Sequence, residues 1–315
     1  MKPLRIVLCL ALCIFWALSA DGFALTVGSP YKPGSVLIFP LIDGSQGADT
    51  VIAITNGFSQ GVDVACRYRT VSDELGGGSF FIGRNATAWF SVRSGKGSIS
   101  IPVSIADKGE LKCWAVSPGG DTQISWNYLQ GIAQVSNSGG VWGYSSWNFA
   151  TEKKRGESVG KAGTIKLSGL PNEYDAMPSY LQFIIPGTVT DAIITFALGK
   201  QDLTQDRQNV YSKAKFYYSR GGTSTSGQQC MQDWLQTSIP RSSLGSFKVQ
   251  GIASTVCDNE FRQPWGTTQN SPLLAVLEAH MNQAVFGIMP IGVGIDGSGY
   301  ILWDAEDQVV EANNR

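Results

Sequence analysis

Short runs of β-branched and aromatic residues, cut apart by glycine-rich breaks, recur along almost the whole chain. Val51–Thr55 (VIAIT), Val62–Arg69 (VDVACRYR) and Ala88–Val92 (AWFSV) are such runs, partly alternating at period two. The breaks are Gly76–Gly78, Ser94–Gly97 and Pro118–Gly120. With 37 glycines and 13 prolines the chain turns too often for long helices. Many short strands with this punctuation predict sheets packed face to face, and the fold class expected is all-β: two tandem antiparallel β-sandwich (immunoglobulin-like) domains after a signal peptide. One stretch, Ser271–Ala284 (SPLLAVLEAHMNQA), reads equally as helix or strand, because Ser271 and Pro272 form a helix-start signature ahead of an apolar run.

The chain begins MKPLRIVLCLALCIFWALSADGFA. Lys2 and Arg5 precede an apolar run, Ile6–Leu18, and small residues follow. That layout predicts a signal peptide over 1–24, cut after Ala24, and a secreted, periplasmic or cell-surface location. No later run is long and apolar enough to span a bilayer as a helix. The polar stretch Thr151–Gly163 (TEKKRGESVGKAG) is the expected linker, which sets the domains at 25–160 and 161–315. Net charge is −1 with no basic block, so nucleic acid is not an expected partner.

Six cysteines are present, and Cys9 and Cys13 fall in the signal segment. The remaining four allow three pairings, of which one bridge per half, Cys66–Cys113 and Cys230–Cys257, is the simplest. A metal centre built from them would lack any C-x-x-C spacing and has one histidine to draw on.

The two halves echo each other. VLIFPLIDGSQGADTVIAITNGFSQGVDVACRYR in the first and LQFIIPGTVTDAIITFALGKQDLTQDRQNVYSKAKFYYS in the second share one order. An apolar run with Phe and Pro comes first, then an Asp before an Ile-rich strand, a polar loop, and a strand ending in aromatic or basic residues. Duplication and shared sandwich grammar are the two readings. The phrases GSVLIFPLID, GADTVIAITN, GELKCWAV, NYLQGIAQV, YDAMPSYL and QDLT occur in this order over most of the chain. In this they resemble a family of uncharacterised secreted bacterial β-rich proteins. Met177 stands where that pattern has a cysteine. The resemblance implies export and architecture; the family carries no known activity.

Candidate chemistry is sparse. His280 lies in an apolar segment, and no G-x-S-x-G, H-E-x-x-H or P-loop occurs. Paired carboxylates could serve a glycosidase, with Asp202, Asp206, Asp258, Glu260, Asp304, Glu306 and Asp307 available. Trp142, Tyr144 and Trp147 cluster in GGVWGYSSWNF, after Trp126 and Tyr128 in ISWNYL. Such rings either pack a core or offer a stacking face to a sugar. The loop Asp43–Asp49 and the run Asp296-Gly-Ser-Gly read as turns, with calcium as the alternative. The expectation is an exported non-catalytic structural or binding protein of the cell envelope or extracellular matrix, without cofactor or metal, whose partner is an envelope protein or a glycan. Carbohydrate binding through Trp142, Tyr144 and Trp147 is the alternative, and a glycosidase-type enzyme the second.

Overall fold

The computed structural model describes residues 27–70, 75–100, 105–119, 122–159, 164–166, 180–196, 211–218, 225–231, 235–239, 244–254, 273–282, 284–294 and 300–302, with Tyr174, Asp175, Pro178 and Arg241. The expected signal segment, Cys257, Asp202, Asp206, Asp258, Glu260, Asp296, Asp304, Glu306 and Asp307 lie outside these residues.

The described chain is nearly all β. The first half supplies β1 (Val36–Asp43), β2 (Asp49–Asn56), β3 (Val62–Thr70), β4 (Leu75–Ile82), β5 (Ala86–Ser91), β6 (Lys108–Val116), β7 (Leu129–Asn137), β8 (Gly140–Ser145) and β9 (Trp147–Phe149). They form a five-stranded sheet, β4-β3-β6-β1-β9, and a four-stranded sheet, β5-β2-β7-β8. Next comes β10 (Thr164–Lys166). The second half supplies β11 (Tyr180–Ile184), β12 (Asp191–Phe196), β13 (Tyr211–Tyr218), β14 (Thr225–Met231), β15 (Leu235–Ile239), β16 (Ser246–Ser254), β17 (Ala275–Met281), β18 (Ala284–Ile288) and β19 (Gly292–Gly294). Their sheets run β14-β13-β16-β11-β19 and β15-β12-β17-β18. Adding ten to every strand number of the first half gives the second. The last strand, β20 (Tyr300–Leu302), pairs with β10. The two echoing stretches of sequence are β1–β3 and β11–β13, so they occupy equivalent places. Ser271–Ala284 resolves toward strand: its described part is β17, which turns into β18 through Met281↔Ala284, as β7 turns into β8 through Asn137↔Gly140.

Alternation explains which faces meet. In β2 the even-numbered residues are buried and the odd ones more open, so one face of the four-stranded sheet points into the first core. In β1 and β6 nearly every residue is buried, because their sheet is covered on both sides. Leu37, Phe39, Cys113 and Ala115 join the first core, with Ile52, Ile54, Phe90 and Val135 opposite. Val36, Ile38, Trp114, Trp147 and Phe149 point the other way. They pack into the second core, built from Leu181, Phe183, Phe247 and Val249 against Ile194, Phe196, Leu277 and Ala279.

Cys66 and Cys113 are register partners on β3 and β6 and form the expected disulfide. The equivalent pair in the second half is Phe216↔Val249, so the second core fills that place with apolar side chains. Cys230 sits on the edge strand β14, away from that position.

Pro40 interrupts β1. Its register on β6 shifts between Phe39 and Ile42, as a residue without an N–H requires. The Tyr144 hydroxyl serves the interrupted backbone: it accepts from Leu41 N at 3.1 Å and donates to Leu41 O. Burial pushes the Tyr144 phenol far above its ordinary range, so it stays a neutral donor. Tyr144→Phe leaves two backbone groups without this partner and is expected to cost about 1–3 kcal/mol. Equilibrium urea unfolding checks this, and a variant as stable as the parent would refute the role.

Candidate functional site

The tryptophans singled out by the sequence do not form an exposed stacking surface. Trp142, Tyr144 and Trp147 are all buried. In β8 the alternation turns Trp142 and Tyr144 into the first core, and Trp147 on β9 packs into the second, where large rings remove the most apolar area from water. Trp126 is buried too. It packs edge-on to Phe58 with Tyr128 beside it, and the Arg155 guanidinium lies 4.1 Å over the Phe58 ring. That cluster ties the 151–159 stretch to the first sandwich.

Asp43 and Asp49 are engaged separately. Asp43 Oδ1 accepts from Ser45 N at 3.0 Å and from Ser45 Oγ at 2.5 Å, an Asx turn closed by Ala48 N on Ser45 O. Asp49 Oδ2 accepts from Ser91 Oγ at 2.7 Å and Oδ1 from Arg93 N at 3.2 Å, which anchors the turn after β5. Gly47 supplies the positive φ, 83°. Two carboxylates committed to different turns are the geometry of a β1–β2 connection. EDTA and millimolar Ca²⁺ are therefore expected to give superimposable melting curves, while Asp49→Ala costs on the order of 1 kcal/mol from lost turn bonds; a calcium-dependent rise in Tm abolished by Asp49→Ala would reverse this.

Charge converges at the joint between the halves. Glu278 on β17 is buried. It stands with its Oε1 3.1 Å from His280 Nε2, hydrogen-bonds Asn137 of β7, and feels Lys108 at the start of β6. Lys108 Nζ lies 3.4 Å from Gln236 Oε1 and 3.9 Å from Asp43 Oδ2. Burial is the largest influence and holds the Glu278 carboxyl above its ordinary 4.5, against the opposing pull of His280 and Lys108. For an acid with a raised folded pKa, the fold prefers the protonated form. Stability from this group is full below about pH 4.5 and falls as pH rises through the folded value. Glu278→Gln is expected to match the parent near pH 4 and to gain in Tm on it as pH rises; a deficit at pH 8 would show that the ion pair outweighs desolvation. The cluster joins β6 and β7 of the first half to β17 of the second.

The joint uses one face of the second four-stranded sheet. Thr195, Val276 and Glu278 share that face and are buried. Val276 packs into the first core, Trp147 Nε1 donates to Ala275 O at 3.1 Å, and β18 crosses the edge strand β8. A Cβ on Gly287 would sit 2.3 Å from Gly143 O, so glycine is needed where the two strands touch.

The equivalent face in the first half is open. Hairpin and ladder registers match Val276 with Ile132, Glu278 with Gln134, Thr195 with Ala53, and Gln236 with Trp89. Trp89, Ala53 and Ile132 form one cross-strand row, with Trp89 46% and Ile132 58% exposed. Val51, Thr55, Thr87, Gln130 and Gln134 surround it, without a charged side chain among them. Sequence reasoning passed over Trp89. Its signal was the alternation of ATAWFS: with Ala88 and Phe90 inward, Trp89 must point out.

No family model matches this chain. No curated protein matches it either.

Proposed function

We propose that this chain is an exported, non-catalytic structural or binding protein of the cell envelope or extracellular matrix, as its likeness to uncharacterised secreted bacterial proteins implies. The observation that carries the reading is the difference between two equivalent faces. One is buried as a joint; the other is open and bears the apolar row Trp89, Ala53 and Ile132 among Thr and Gln side chains. A flat face of this kind suits docking to a neutral surface. Among the described residues, no group of three or more His, Cys, Asp or Glu side chains is placed to hold a metal ion, and no helix is long and apolar enough to cross a membrane.

The test is retention of purified chain on isolated envelope or matrix material. Trp89→Ala/Ile132→Ala should weaken retention at least tenfold, the scale of losing a central apolar anchor; equal retention would overturn the reading. Carbohydrate binding is the second reading, and it now rests on Trp89, an exposed ring flanked by Thr and Gln side chains. A glycan array with the parent and Trp89→Ala separates it from protein docking.

A further inference from the structure

The internal joint has two sides. The donor side is the outer face of the second four-stranded sheet: Thr195, Val276 and Glu278. The acceptor side is where β1, β8 and β9 of the first half come together: Trp142 and Tyr144 share the first core with Val276, and Val36, Ile38 and Trp147 beside them pack into the second core, Trp147 against the Ala275 carbonyl. Because strand order and register repeat, each side has a counterpart in the other half. Both counterparts are open. The donor counterpart is the Trp89–Ala53–Ile132 row, with Val141 also exposed. The acceptor counterpart follows from aligning Phe39 with Phe183: Tyr180 and Gln182 replace Val36 and Ile38, and Ile184 replaces Pro40. Phe286 and Ile288 replace Trp142 and Tyr144 and are partly open. Ile184 is 50% exposed, and Ile291, whose amide donates to Gln182 O, is 56% exposed. Among the described residues, five of the exposed large apolar side chains therefore lie at these two surfaces, Tyr31 stands beside the second of them with its hydroxyl donating to Pro290 O, and Phe81 lies elsewhere.

We propose that copies of this chain associate head to tail, the Trp89–Ile132 face of one docking on the Ile184–Ile291 side of the next and repeating between molecules the contact that joins the halves within one. The inference rests on the reading of the open face as a docking face and names its partner. The surfaces differ, so the contact is heterologous and open-ended. It is also shallower than the internal joint. Gly292 and Gly294 stand where Trp147 and Phe149 fill that joint, so assembly is reversible and concentration-dependent.

Sedimentation velocity of the full chain tests this, with Trp89→Arg/Ile132→Glu as the donor-dead variant and Ile184→Asp/Ile291→Asp as the acceptor-dead one. These side chains are exposed, and circular dichroism verifies folding. The parent should grow in mass with concentration without stopping at the dimer. Each variant alone should stay monomeric, and an equimolar mixture should give dimers and nothing larger, because one intact donor meets one intact acceptor. A monomeric mixture overturns the proposal, as does a parent that stops at a dimer unaffected by Ile184→Asp/Ile291→Asp. A parent monomeric throughout, whose retention on envelope material still needs Trp89 and Ile132, overturns self-association and leaves the proposed function standing. If retention is also unaffected, both fail.

Discussion

Trp147→Ala is expected to remove about 3–5 kcal/mol of stability, the range for emptying the site of a large buried aromatic. The ring is fully buried and lies between the halves, and its indole N–H donates to the Ala275 carbonyl. Deleting it leaves that carbonyl without this donor as well as opening a cavity, which adds roughly 1 kcal/mol. The effect is not confined to the first half, since Trp147 packs into the second core. Denaturant unfolding followed by two probes, one per half, should show both transitions moving down together. A shift in one transition alone, or a cost below about 1 kcal/mol, would mean that the halves are not energetically joined through this ring.

Removing the Cys66–Cys113 bridge is the second large effect. The bridge spans 47 residues. In the chain-entropy model, opening a loop of that length costs about 4 kcal/mol by freeing the unfolded chain. Cys66→Ala/Cys113→Ala should lower the denaturant midpoint accordingly with little change in the native spectrum. Since Phe216 and Val249 hold the equivalent place in the second half, reduction should weaken the first half selectively. Loss of stability of equal size in both halves would contradict this. Peptide mapping without reduction reads the proposed Cys230–Cys257 bridge in the same experiment.

Much of this architecture was legible because it depends on local pattern. The alternation of DTVIAITN and the unbroken apolar run VLIFPLID mark a one-face strand and a two-face strand, and they fold as such. The echo between the halves survives as an identical strand order. Ser271–Ala284 stayed ambiguous because a short apolar run fits either period, and pairing with β12 and β18 decides it. The aromatic cluster stayed open between core and stacking face because ring identity is visible in a sequence while the face it occupies is not, and its rings prove to be core. Trp142 and Trp147 are covered by residues more than a hundred positions away, a relation that no local spacing encodes. The asymmetry between the two equivalent sheet faces was invisible for the same reason.

The two-sided burial of β1, β6 and β9 has a consequence for how the molecule is made. Trp147 and the carbonyl it meets are separated by 128 residues. At roughly 5–20 residues per second, a ribosome needs about 6–26 s to bridge that distance. Throughout that interval Val36, Ile38, Trp114, Trp147 and Phe149 form a wet apolar wall on an otherwise finished sandwich. The second half is therefore a late-arriving cover as well as a partner. Yield during production will follow how quickly that cover closes over the wall once the chain is free to fold.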